Sequence, residues 1–83
     1  MKVVIVEDEL VAAQKLERLI SQSTDDIQVI AILQSEDESI EWFTLNTAPY
    51  LVFMNIHLAD GSAFSIFDKV QISCPIIFTT DYD

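Results

Sequence analysis

Tyr50-Leu51-Val52-Phe53-Met54-Asn55-Ile56-His57-Leu58-Ala59-Asp60-Gly61 is the stretch whose reading decides the fold. Tyr50 to Met54 is an apolar run of strand length. Asn55 falls where that strand should end, and Asp60-Gly61 closes the following loop with a turn signal. In open α/β sheets, ligand and catalytic groups sit at the ends of strands. A polar Asn55 at such an end, where an aspartate would be expected, is the residue to explain.

Working outward, Lys2 to Val6 is a continuous β-branched run, the mark of a strand buried on both faces, and it ends at Glu7-Asp8. Between Glu9 and Ser21, Ala12, Ala13, Leu16, Leu19 and Ile20 recur at helical spacing. Ile27 to Leu33 reads as a second strand with the partial alternation of an edge. Ser35 with Glu38 forms a capping box for a helix through Ile40, Trp42 and Phe43 to about Asn46. Downstream of the central stretch, Ser62 to about Ile72 carries Ala63, Phe64, Ile66, Phe67 and Val70 as an amphipathic helix. Ile76 to Thr80, after Pro75, is a fourth strand. Trp42, Phe43, Phe64 and Phe67 are expected in the core. The order βαβαβαβ predicts an α/β fold with a parallel sheet and right-handed crossovers.

The chain has 83 residues, 51% of them apolar, which suits one small packed domain with no internal boundary. The hydrophobic content is high for so short a soluble chain, so the protein either dimerises or is part of something longer. Fourteen acids against four Lys plus Arg give a net charge of -10. Such a surface repels phosphate backbones and argues against direct nucleic-acid binding. The single cysteine, Cys74, permits no internal disulfide and fits a reducing compartment. No apolar run approaches membrane-spanning length, and the short apolar start followed by Glu7-Asp8-Glu9 does not read as a signal peptide, so the expected location is cytoplasmic.

In a parallel sheet all strand C-termini share one rim. Glu7-Asp8, Asn55 and Thr79-Thr80-Asp81 therefore converge although they are distant in sequence. Two acids beside an oxygen-bearing side chain suit a hard cation such as Mg²⁺, which takes oxygen ligands and keeps several waters. The competing reading of Glu7-Asp8 is a helix N-terminus enriched in acids.

These residues carry a resemblance. Val3 to Glu9, then Phe53 to Gly61, then Pro75 to Asp83, in that order and spacing, resemble a response-regulator receiver domain along the whole chain. The Leu58-Ala59-Asp60-Gly61 loop and the closing Ile77-Phe78-Thr79-Thr80-x-Tyr82-Asp83 resemble the subgroup joined to LytTR-type DNA-binding domains. The resemblance implies a flavodoxin-like (CheY-like) doubly wound parallel sheet of strand order 2-1-3-4. The family's fifth strand and last helix would lie beyond Asp83, so residues 1–83 are expected to be the N-terminal portion of the domain.

The resemblance also implies roles. Glu7 and Asp8 match the acidic pair that holds Mg²⁺, with Asp8 the more direct ligand. Asn55 matches the aspartate that accepts a phosphoryl group from a sensor histidine kinase, and its carbonyl oxygen can still ligate metal. His57 matches the position whose backbone carbonyl binds the metal, its imidazole taking no part. Thr80 matches the switch hydroxyl, in preference to Thr79. The domain would regulate an output domain and is not expected to be an enzyme.

Three departures qualify those roles. Asn55 is a neutral amide and cannot form an acyl phosphate. Asp81 stands where the family places a small residue. The lysine that pairs with the phosphoryl group matches none of Lys2, Lys15 or Lys69. Asn55 thus marks either a natural pseudo-receiver, acting only as a protein-interaction and dimerisation module, or a replacement of the acceptor. An exposed fourth strand also predicts a homodimer or domain-swapped assembly. A phosphatase would need an acid at position 55 and another where His57 stands.

Overall fold

The computed structural model describes residues 1–80. In chain order it comprises β1 (Lys2–Val6), α1 (Leu10–Ser23), β2 (Gln28–Leu33), α2 (Glu36–Leu45), β3 (Leu51–Asn55), β4 (His57–Leu58), β5 (Gly61–Ser62), α3 (Ala63–Phe67) and β6 (Ile76–Thr79). The β-branched run at the start becomes the strand that the others pack around. Val3, Val4, Ile5 and Val6 are each no more than 1% exposed, as a strand covered on both faces requires.

Four strands form a parallel sheet in the order β2-β1-β3-β6. Alternate side chains feed opposite faces. On one face Val4, Val6, Val52 and Met54 join Leu33, Phe43, Leu58, Ala63 and Ile66, under α2 and α3. On the other, Ile5 packs with Ala13 and Ile20 of α1, flanked by Leu16, Val29, Ile32 and Phe53. This is the doubly wound arrangement expected, and the half-covered β2 lies at the edge that its weak alternation suggests. Among the described residues, β6 forms the other edge. No helix of the described residues is long and apolar enough to cross a membrane.

Several details differ from the sequence reading. The central strand begins at Leu51, with Tyr50 exposed beside it and its N–H bonded to the Lys2 carbonyl. The loop after Asn55 is a short antiparallel hairpin, β4 against β5, pairing His57 with Ser62 and Leu58 with Gly61. The third helix stops at Phe67 rather than near Ile72. The N–H groups of Lys69 and Val70 both converge on the Ile66 carbonyl, and the chain then leaves the helix. Val70 and Ile72 are β-branched, poor helix formers, and they reach the core from irregular chain. Leu19 and Phe64 are largely exposed, not core. Phe64 stacks at the surface with Phe67 and Phe78, ring centroids 5.9–6.3 Å apart.

The capping box forms with one alteration. Ser35 Oγ accepts the Glu38 N–H at 3.0 Å, but Glu38 Oε1 accepts from Gln34 N–H at 2.6 Å instead of from Ser35. The Glu38 N–H at the helix start is satisfied in this way.

The central strand's burial makes a direct test. Met54→Ala, at a position with no exposed surface, should cost about 2–5 kcal/mol in chemical denaturation. Tyr50→Ala, on the open surface, should change stability by less than about 0.5 kcal/mol.

Candidate functional site

The sheet register assembles the rim. Val6 pairs with Met54 and Asn55 pairs with Thr79, so Glu7, Asn55 and Thr79 leave adjacent strands at one level. Asp8 follows Glu7 directly, and Thr80 follows Thr79 at the exposed end of β6. The Ile56 N–H bonds the Thr79 carbonyl at 3.2 Å, which extends the β3–β6 pairing into the loop.

At the centre, Asn55 is completely buried and Glu7 is 8% exposed. Asn55 Nδ2 donates to both Glu7 oxygens, at 3.2 and 3.1 Å. Asn55 Oδ1 accepts the His57 N–H at 3.1 Å. Glu7 Oε2 also accepts the Glu9 N–H at 3.1 Å, at the start of α1. The two buried polar side chains thus satisfy each other across β1 and β3, as burial demands. The acidic pair also lies at a helix start, where negative charge is favoured.

Asp8 is different. Its Oδ1 is buried and has no hydrogen-bond partner among the described residues. An orphaned carboxylate oxygen on this rim is the kind of acceptor that a hard cation satisfies. Among the described residues, no three His, Cys, Asp or Glu side chains gather as a metal cluster, so any cation here would depend on Asp8, the rim's other oxygens and water. The His57 imidazole is exposed, and its backbone N–H serves Asn55. Thr79 is half-buried beside Asn55 and Thr80 is exposed. Asp81 and the rest of the closing motif lie outside the described residues.

A second cluster holds the hairpin loop in place and was not legible in the sequence. Asp60 Oδ1 and Oδ2 accept the Glu36 N–H at 2.8 and 3.1 Å, and Oδ2 also receives a long contact of 3.5 Å from the Asp37 N–H. A carboxylate 24 residues away therefore caps α2 together with Ser35. The buried Glu36 side chain pairs with Lys69 Nζ at 3.3 Å. Gly61 lies against that carboxylate, and a Cβ there would run into Glu36 Oε2. Only the Asp60-Gly61 turn signal hinted at this contact.

The Glu36 N–H holds the Asp60 carboxyl below its ordinary value of 3.8, helped by the Asp37 N–H and the Lys69 charge against partial desolvation. A depressed carboxyl pKa contributes stability that is present above the unfolded value and lost as pH falls through the folded one. Asp60→Asn should therefore lower Tm at neutral pH, and the deficit should close as the buffer is taken below pH 3.8. Gly61→Ala should displace the Glu36 carboxylate and cost stability through the lost Lys69 pair, a loss that Lys69→Met in the same chain should not deepen.

No family model matches the chain. The sensory transduction protein LytT of Enterococcus faecalis is 34% identical over 86 aligned residues, covering 100% of this chain and 35% of that protein. The chain spans about a third of the length of such curated relatives. The crystal structure of the response regulator PhyR from Brucella abortus superposes with a TM-score of 0.79 at 26% identity, over 98% of this chain and 33% of that one. The solution structure of the Erythrobacter litoralis PhyR response-regulator REC domain gives a TM-score of 0.77 at 28% identity, over 98% of this chain and 63% of that one. In fold the chain matches response-regulator receiver domains, and in sequence it resembles the LytTR-type regulators.

Proposed function

We propose that this chain is the receiver module of a cytoplasmic two-component response regulator whose phospho-acceptor position is neutralised by Asn55. The observation that carries the reading is the convergence of Glu7, Asp8 and Asn55 at the ends of β1 and β3, beside Thr79 and Thr80 of β6. With an aspartate at position 55, a sensor histidine kinase would deliver a phosphoryl group to it. Glu7, Asp8, the residue-55 oxygen and the His57 carbonyl would hold Mg²⁺, which supplies charge neutralisation for the phosphoryl oxygens. Thr80 would be the hydroxyl that turns toward the modified residue and repacks the β6 surface for an output domain that regulates transcription. The carboxamide of Asn55 is a poor nucleophile toward phosphorus, so this chain does not take the label.

The test is phosphorylation of the full-length protein by acetyl phosphate with Mg²⁺. Asn55→Asp should gain an acid-stable, EDTA-sensitive label that the unaltered protein lacks. Failure of the variant to gain any label would overturn the assignment of residue 55.

A second reading, a pseudo-receiver working only through protein contacts, is favoured by one feature. Phe64, Ile77 and Phe78 are substantially exposed beside β6, an edge strand among the described residues. An unpaired strand edge flanked by apolar side chains favours pairing with a second copy. Sedimentation should then show concentration-dependent dimers that Phe78→Ser weakens; a compact monomer at high concentration would contradict this reading.

A further inference from the structure

The orientation of the Asn55 amide is fixed by its surroundings. The His57 backbone N–H can only donate, so the atom facing it at 3.1 Å is the oxygen. The nitrogen therefore faces Glu7, whose carboxylate receives it on both oxygens. Asn55 turns the positive end of its dipole toward Glu7, and its oxygen is turned to the backbone.

An aspartate in the same place would keep the bond to the His57 N–H with one oxygen. Its other oxygen would meet the Glu7 carboxylate with no donor between them. Two carboxylates at such a separation need a proton or a cation to coexist. The Asn55 amide removes that need, and through Glu7 it also steadies the Glu9 N–H at the start of α1.

We infer that the Asn55 amide stands in for the divalent ion between β1 and β3, so that this chain closes its rim with a hydrogen bond instead of a metal. The inference rests on the reading of the rim as a divalent-ion site when position 55 is acidic. It changes what the asparagine does: beyond removing a nucleophile, it uncouples the stability of the rim from Mg²⁺. Among the described residues, the Asp8 oxygen remains as an acceptor on this rim that an ion could use.

The experiment compares thermal unfolding of the 83-residue chain and its Asn55→Asp variant, each in EDTA and in millimolar Mg²⁺. The unaltered chain should melt at the same temperature in both. The variant should melt lower in EDTA, by about 4–8 °C for each unit of free energy lost in a domain of this size, and recover in Mg²⁺. An unaltered chain that gains as much from Mg²⁺ as the variant overturns the inference while leaving the divalent-ion site standing. A variant that gains nothing overturns the site reading and the inference with it. A measurement free of variants is the Asn55 side-chain NH₂ pair in a ¹H–¹⁵N spectrum. It should stay in place on Mg²⁺ addition, and its displacement overturns the inference.

Discussion

The parallel pairing of β1 with β3, set at Val6 opposite Met54, carries two strand ends out of the sheet side by side. Glu7 and Asn55 have no freedom to avoid each other after that. A slip of one residue would turn the slipping strand's side chains to the wrong faces and disrupt both cores that it feeds. The apolar runs that bury β1 and β3 therefore also position the rim. The same packing that excludes water there makes each polar contact consequential, because an unmatched buried group costs about 1–3 kcal/mol.

Between Glu7 and Asn55 that condition is met by the amide. Asn55 offers both a donor and an acceptor, and its neighbours use each: a carboxylate on one side, a backbone N–H on the other. A carboxylate in its place would set like charges against each other, worth about 4 kcal/mol at a separation of about 4 Å and an effective dielectric of about 20. Two carboxylates held there would need a cation or a proton to answer that repulsion. The asparagine answers it permanently. At the other end of the hairpin, Asp60 and Glu36 bind the loop to α2, so the chain beyond Asn55 is fixed at both its ends.

Much of this was legible in the sequence, and the reasons are local. Continuous β-branched runs and helical spacing located four strands and three helices. Alternation of strand and helix then dictated parallel pairing, and parallel pairing placed Glu7, Asp8, Asn55 and the Thr79-Thr80 pair on one rim. What escaped was set by tertiary contact. The Asp60 cap of α2 joins residues 24 apart, and nothing in the local spacing announces it. Helix α3 ends early because Val70 and Ile72 bury equally well outside a helix, which periodicity does not distinguish. Phe64 has core composition but faces outward onto Phe78. The direction of the Asn55 amide depends on a backbone N–H two residues on, which a sequence does not show.

The fold is that of a receiver, and at its rim Glu7 and Asn55 are joined by hydrogen bonds across β1 and β3. On the proposed reading, an ion acts between the ends of β1 and β3 and residue 55 governs access to it. Paramagnetic Mn²⁺ added to the Asn55→Asp variant locates that place directly. Line broadening centred on the amides of Glu7, Asp8, Ile56 and His57, and much weaker in the unaltered chain, is the predicted result. Broadening centred instead on Glu36 to Glu38 and Asp60, or equal in both proteins, would contradict it.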